Sequence, residues 1–384
     1  MTYDFDRIIN RYHMRSAKWG SNPELLSMST ADMDFVSPAE VTHALLQDVE
    51  TGVYGYKTGH VETFLQAAVA WEKRRHNIEL EPEWLSFAPG VIAALAQAIY
   101  ALTKPGDKIV IQPPVYGPFF SLVNTAGRVE VDSRLIHTDD NRWEIDFDDL
   151  DKKCEGARAM LICSPHNPIG RVWTDDELIR VVAICKKHGL LLLVDEIHHD
   201  LMLDGREYHT PAQLCPDYAD QIITAAAPST TFNLAGMQTS YLCIRNPEYR
   251  KAVAEVRSAL HIAGGVYGYM AGEAAYTYGD SWLDQLLRYL ESNRDAAYTY
   301  LRERLPECPL ADLQGTYLMW MDCRALSKSE KEVCKVLEEH KILLVPGAAG
   351  FHSEEGYLRI NIGTPRKQML EGLDRLCSAL ETLR

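Results

Sequence analysis

The sequence predicts an α/β fold: a mainly parallel sheet flanked by helices, with a smaller α+β domain. Three observations carry that expectation. Short apolar runs alternate with helical stretches through the middle of the chain, the pattern of strands joined by crossover helices. The chain has 384 residues, which is long for one domain and suits two that share a cleft. From roughly Trp282 onward the character changes to amphipathic helical patterns with isolated strands between them.

Taken in order, the candidate strands are Lys108–Gln112, Ala159–Cys163, Leu190–Val194, Ile222–Ala226 and Ser240–Ile244. Val91–Leu102 reads as a helix closed by Lys104-Pro105-Gly106-Asp107, and Asp175–His188 as a helix closed by Gly189. Further on, Trp282–Arg304 and Arg366–Leu383 read as amphipathic helices, the second opening directly after Pro365. Thr316–Asp322 and Tyr357–Ile362 read as strands. The expected domains are a large one over 48–282 and a small one combining 1–47 with 283–384.

Composition narrows the class of partner. A formal charge of −15 argues against nucleic acid or an anionic membrane, both of which need a cationic face. No apolar run approaches the roughly 20 residues that span a bilayer, and the start lacks the basic-then-apolar order of a secretory signal. The nine cysteines are odd in number and form no Cys-x-x-Cys pair. Reduced thiols in a cytoplasm are therefore expected, and neither a disulfide framework nor a metal site.

The informative residues follow the strands. Lys108–Gln112 leads into Pro113-Pro114-Val115-Tyr116-Gly117-Pro118, and Ala159–Cys163 into Ser164-Pro165-His166-Asn167-Pro168. Leu190–Val194 leads into Asp195-Glu196-Ile197-His198, and Ile222–Ala226 into Pro228-Ser229-Thr230-Thr231. Ligands of open α/β sheets lie outside the carboxyl ends of the strands, so an aromatic, an amide, an acid with a histidine, and hydroxyls are expected at one rim. In Phe87-Ala88-Pro89-Gly90-Val91-Ile92-Ala93-Ala94, Gly90 permits a tight turn and leaves the amides of Val91 and Ile92 open. Free N–H groups at a helix start make an anion site, although an ordinary turn into a packed helix has the same local pattern.

These segments, with Ala31-Asp32-Met33-Asp34-Phe35, Ile169-Gly170-Arg171-Val172-Trp173, Phe232-Asn233-Leu234-Ala235-Gly236 and Gly315-Thr316-Tyr317-Leu318, run over nearly the whole chain in order. Together they resemble the fold-type-I enzymes that use pyridoxal 5'-phosphate (PLP), within them the MalY/PatB branch of carbon–sulfur β-lyases, which are cystathionine β-lyase-like. The resemblance implies an aspartate aminotransferase-like large domain with a seven-stranded sheet, and a homodimer. It implies β-elimination on cysteine S-conjugates or cystathionine, giving thiol, pyruvate and ammonia.

The resemblance also implies roles for particular residues. PLP draws in the electrons released when a bond at the substrate Cα breaks, and Asp195 matches the carboxylate that keeps its pyridine nitrogen protonated. Asn167 matches the partner of the phenolic oxygen, and His198 stands where related aminotransferases place a tyrosine for that oxygen. Tyr116 matches the aromatic over the ring. Gly90, the amides of Val91 and Ile92, and Ser229 match the phosphate site. Tyr56 matches the tyrosine that reaches the neighbouring subunit's phosphate, with Tyr54 an alternative. Arg359 matches the arginine for the substrate carboxylate, a task suited to its planar fork, and Ala31 lies in the segment lining the substrate side.

Thr230 occupies the position of the lysine that links covalently to PLP. A hydroxyl makes no imine, nor does it act as the amine base, a role worth about 10²–10⁴ in rate. The nearest lysines in sequence are Lys187 and Lys251. Either a lysine has been replaced in an ordinary lyase, or the protein is naturally without one and is a pseudoenzyme or uses PLP in another way; the intact surrounding motifs favour the first. The chain as it stands is expected to be inactive or strongly impaired, with PLP held non-covalently or carried as an imine with a free amino acid. Ser29-Thr30 replaces a tryptophan common before the Ala31 segment, and Ala227 replaces a phosphate-binding serine found in many relatives.

Rival readings remain open at this point. Asp195–Asp200 contains metal-ligand types, but not in His-Glu-x-x-His order. Gly52-Val53-Tyr54-Gly55-Tyr56-Lys57-Thr58 lacks the glycine before lysine of a phosphate loop. An aminotransferase shares the first deprotonation with the lyase. A non-catalytic binding or regulatory protein is the rival that Thr230 invites.

Overall fold

The structure is a computed structural model, and it describes residues 2–20 and 22–384. Its centre is a seven-stranded sheet of β1 (Leu85–Ala88), β2 (Lys108–Ile111), β3 (Val129–Asp132), β4 (Ala159–Cys163), β5 (Leu191–Asp195), β6 (Ile222–Ala226) and β7 (Ser240–Ile244). Their spatial order is β1-β7-β6-β5-β4-β2-β3. All neighbours are parallel except β7, which runs antiparallel to both β1 and β6. Ser240–Ile244 is thus the one expected strand that reverses direction.

Apart from its edge strand β3, the sheet is buried on both faces, so its inner strands are largely continuous apolar runs. Alternate residues serve opposite layers. Leu191 and Leu193 join Leu161 and Ile111 in the core beneath the Val91–Leu102 helix. Leu192 and Val194 join Met160, Ile162 and Val110 in the core that includes Leu178 and Val182 of the Asp175–His188 helix. That helix begins with a capping box between Thr174 and Glu177 and ends at Gly189, whose φ is 69°.

A three-stranded antiparallel sheet of Leu318–Asp322, Tyr357–Asn361 and Val345–Pro346 lies apart from the first. The helices Asp280–Arg304 and Arg366–Glu381 pack together, and a third core joins them to Phe5, Met28 and Phe35 near the amino end. The first of those helices starts two residues earlier than its apolar pattern indicates, and the second ends at Glu381. Strand Leu318–Asp322 starts late because Thr316 has a φ of 71°, outside extended backbone.

Several helices escape the periodicity reading, among them Ala39–Val49, Pro247–Ala259, Glu330–Glu339 and two that form a pair. Val266–Tyr278 and His60–His76 pack against each other. Val266–Tyr278 buries residues around much of its circumference, which erases the amphipathic signal.

Candidate active site

The chain passes from β2 outward to β3 and then crosses back to β4 on the other side of β2. A crevice opens at such a reversal, outside the carboxyl ends of the strands. The loop carrying Tyr116 leaves β2 there and the loop carrying Asn167 leaves β4. Asp195 is the last residue of β5, in register with Cys163 of β4 and Ala225 of β6. Its place at the strand end puts a carboxylate at the floor of the crevice.

The Asp195 carboxylate is buried and accepts a hydrogen bond from the Ile197 N–H at 3.0 Å. Burial raises its pKa to about 7; the Ile197 N–H opposes that rise, and the neighbouring Glu196 charge adds to it. Among the described residues no basic side chain pairs with it. Tyr116 lies half-buried nearby, its phenol pKa raised by burial and then by the Asp195 charge.

Arg359 enters from the smaller sheet, in the middle of strand Tyr357–Asn361. Its Nη1 donates to Asn167 Oδ1 at 3.1 Å and its Nη2 to the Ser29 carbonyl at 2.7 Å. The guanidinium lies 4.8 Å from the Phe351 ring centroid, and Nε is buried without a hydrogen-bond partner. Among the described residues no carboxylate pairs with Arg359, and burial lowers its pKa to about 10.

His198 is buried beside them. Burial, then the Arg359 and His199 charges, lower its pKa to about 3, so the ring is neutral, and Nδ1 has no hydrogen-bond partner. Its ring meets Tyr317 edge-on at 6.3 Å. The Tyr317 hydroxyl donates to the Ala31 carbonyl at 3.0 Å, holding the Ala31 segment against the same wall.

The phosphate-type cradle forms at the far side of the sheet's rim. Gly90 has φ 99° and ψ 152° and begins the Val91–Leu102 helix. Only glycine adopts that backbone readily. The N–H groups of Val91, Ile92 and Ala93 have no backbone acceptor among the described residues. Strands β1 and β6 point the same way because β7 is antiparallel to each, so the Gly90 turn and the Pro228–Thr231 turn leave the sheet at one end.

That second turn holds Ser229, half-buried, and Thr230, buried. Its remaining residues fix its position. Thr231 Oγ1 donates to Asp200 Oδ2 at 2.7 Å. Phe232 packs against Trp71 and Trp282. Asn233 accepts from the Met33 N–H at 3.1 Å and donates to the Phe35 carbonyl at 2.8 Å.

Tyr116, Asn167, Asp195, His198 and Arg359 are therefore brought together, with Ala31 tied in through Tyr317. Tyr56 is not: it is fully exposed, and Tyr54 is largely so. The acids of the Ala31–Phe35 motif are structural. Asp32 takes a two-pronged contact from Arg11 at 2.8 Å and 2.8 Å. Asp34 accepts from Lys18 Nζ, Trp19 Nε1 and Arg11 Nη1, each at 2.7 Å. Lys18, the buried lysine of this region, is committed to Asp34 and the Asp32 carbonyl. Sequence reasoning missed Ser29 and Phe351 as partners of Arg359. It quoted Tyr317 in a motif without a role, which was the available signal.

The electrostatics can be tested against PLP, a group with an anionic end and a ring nitrogen that takes a proton. An unpaired buried carboxylate, an orphaned His198 nitrogen and open amides at a helix start fit such a group held without a covalent link. Thr230 offers no amine to link it.

An open sheet whose rim holds a lone carboxylate, a lone guanidinium and free helix-start amides defines an α/β protein built around a charged small-molecule pocket. The chain belongs to the class I and II aminotransferase family, which matches residues 23–376. It is 38% identical to cystathionine beta-lyase PatB of Bacillus subtilis (strain 168), over 98% of this chain and 100% of that one. It is 30% identical to protein MalY of Escherichia coli (strain K12), over 100% of both chains. Cystalysin from Treponema denticola, whose crystal structure contains a pyridoxal 5'-phosphate cofactor, superposes with a TM-score of 0.95 at 34% identity, covering 100% of both chains. The PLP-bound C-S lyase from Staphylococcus hominis superposes with a TM-score of 0.91 at 31% identity, covering 98% of this chain and 99% of that one. Among the described residues no helix is long and apolar enough to cross a membrane.

Proposed function

We propose that this chain has the site of a PLP-dependent carbon–sulfur β-lyase and that Thr230 leaves it without the amine the reaction needs. The observation that carries the reading is the pair of unmatched buried charges. Asp195 is a buried carboxyl with no basic partner, its ionisation suppressed by burial, and Arg359 is a cation with no anion; the half-buried Tyr116 senses both. Buried charges without partners are costly, and two of opposite sign at one pocket suit a ligand that brings both complements. The lyase names and bound PLP of the relatives support the same reading.

In this reading Asp195 would pair with the cofactor's ring nitrogen and keep it protonated. Asn167 and His198 would serve its phenolic oxygen, Tyr116 its ring, and the Val91 and Ile92 amides with Ser229 its phosphate. When bound, PLP supplies an electron-accepting ring that stabilises negative charge at the amino acid's Cα. Arg359 takes the substrate carboxylate in its fork, with Asn167 and Ser29 fixing the plane of the guanidinium. The Ala31 segment, held by Tyr317, closes the substrate side. Thr230 neither removes nor returns the Cα proton, because a hydroxyl is far too weak a base at neutral pH. Inactivity or severe impairment follows. The exposed Tyr56 segment supports a second copy of the chain as the partner it reaches, in a homodimer; Tyr54 is the alternative on that segment.

Borohydride reduction and intact-mass measurement test the reading, with pyruvate release from a cysteine S-conjugate. The present chain should gain no cofactor mass, whereas Thr230→Lys should gain it and release pyruvate at least about 10²-fold faster. Cofactor mass on the present chain overturns non-covalent binding. A T230K protein that gains the mass yet releases no pyruvate overturns the lyase reading. That last outcome favours the second reading, a non-catalytic binding protein, for which Thr230 itself is the supporting observation.

A further inference from the structure

The loop after β5 divides its side chains between two sides. Asp195 and His198 belong to the pocket, whereas His199 and Asp200 join residues of the His60–His76 helix and Glu196 accepts from Tyr208 and Thr210. Glu72 and His76 stand four residues apart on that helix, hence on one face. His199 Nε2 lies 2.9 Å from Glu72 Oε1 and 3.8 Å from Asp200 Oδ1, and His76 Nε2 lies 2.7 Å from Asp200 Oδ1. Ligand atoms of Glu72, His76 and His199 all lie within 4.8 Å of one another. Their side chains are between 0% and 8% exposed.

We propose that Glu72, His76, His199 and Asp200 bind one divalent cation of the zinc class. Two imidazoles and two carboxylates form a ligand set that such an ion takes in tetrahedral geometry. Bonds of roughly 2.0–2.2 Å place tetrahedral ligands about 3.3–3.6 Å apart. The 2.7, 2.9 and 3.8 Å separations here bracket that range, so small side-chain adjustments open the site. Against burial, the Glu72 and Asp200 charges hold a second proton on His199, and an ion would displace it; two carboxylates and two neutral imidazoles then carry two negative charges, which one divalent ion balances.

The surroundings orient three of the four ligands, His199, Glu72 and Asp200, in the way metal sites require. His199 Nδ1–H donates to the Glu196 carbonyl at 2.6 Å, which turns Nε2 toward Glu72. Tyr241 OH donates to Glu72 Oε1 at 2.5 Å. Trp71 Nε1 donates to Asp200 Oδ1 at 2.9 Å, and Thr231 Oγ1 to its other oxygen. An entry path exists as well: a cavity of about 510 Å³ is lined by His76 and Asp200. Because Thr231 adjoins Thr230, an ion here would also stiffen the turn that borders the pocket. The sequence reading expects no metal because Asp195–Asp200 is not in His-Glu-x-x-His order; Glu72 and His76, far along the chain from His199, do not enter that reading.

Cobalt(II) alone, added to the chelator-washed full-length protein, tests the proposal. One ion per chain should bind with the visible bands of four-coordinate cobalt, and zinc should displace it. His76→Gln, at the cavity edge where folding is least at risk, and Glu72→Gln should each weaken binding by more than about tenfold. Circular dichroism confirms that each variant is folded. Absence of binding, six-coordinate bands, or affinity unchanged in folded H76Q overturns the site.

Discussion

Arg359 Nη1 donates to Asn167 Oδ1 at 3.1 Å, although 192 residues separate the two in sequence. The contact joins the middle strand of the smaller sheet to the loop after β4 and so closes the pocket. It also sets the orientation of a guanidinium that has no carboxylate of its own.

Replacing that fork by a point charge should therefore be harmful. Arg359→Lys is expected to weaken binding of an amino-acid carboxylate about 10–100-fold, since two charge-assisted hydrogen bonds lose their planar geometry. Titration calorimetry with a cysteine S-conjugate on the PLP-loaded protein reads it directly. Equal affinity in R359K would remove the argument from geometry.

The buried Asp195 carboxylate makes folding depend on pH in a definite direction. Its folded pKa is raised to about 7 from 3.8. Below the unfolded value both states are protonated, and the group contributes no penalty. Between the two values folding takes up a proton, so stability falls as pH rises through the folded pKa. Asp195→Asn, which cannot ionise, should gain on the unmodified apoprotein by on the order of 2–4 kcal/mol between pH 4 and pH 8. Urea unfolding at the two pH values measures it, and a constant difference would show that Asp195 does not titrate this way.

Gly90 is confined by backbone rather than by space. A Cβ there would meet no atom within 4 Å, but φ is +99°. Gly90→Ala should lose about 1–3 kcal/mol of stability. It should also weaken PLP binding, because the Val91 and Ile92 amides re-aim when the turn relaxes. Urea unfolding and PLP titration check the two effects separately.

Asn293 ties the long helix Asp280–Arg304 to the carboxyl-terminal segment. Its Nδ2 donates to the Ile362 and Thr364 carbonyls at 3.0 and 2.9 Å, and its Oδ1 accepts from Arg366 Nε at 2.7 Å. The Ile362 carbonyl keeps the Thr364 N–H, but Asn293→Ala leaves the Thr364 carbonyl and Arg366 Nε without these partners and should cost about 1–3 kcal/mol. A loss within error of zero in chemical denaturation would mean that water replaces the amide.

Much of the fold is visible in local pattern. Ala159–Cys163, Ile222–Ala226 and Ser240–Ile244 are strands with the expected limits, and Val91–Leu102 and Asp175–His188 are helices with the expected limits. Continuous apolar runs and end signals are properties of neighbouring residues, so they survive in one dimension. The one-residue shift of β5 matters more than its size: it makes Asp195 the strand's last residue, held by register with Cys163 and Ala225.

What the sequence determined by itself is the set of chemical groups at the strand ends and the absence of an amine at position 230. Those depend only on residue identity and on strands ending where apolar runs end. Tertiary structure alone decided that β7 reverses and that Arg359 stands without a carboxylate. It also decided that Asp34 is consumed by Lys18 while Asp195 is left bare, and that Glu72 and His76 meet His199 and Asp200. The reason is physical: whether a buried charge is compensated depends on groups distant in the chain, and only folding brings those within hydrogen-bonding reach.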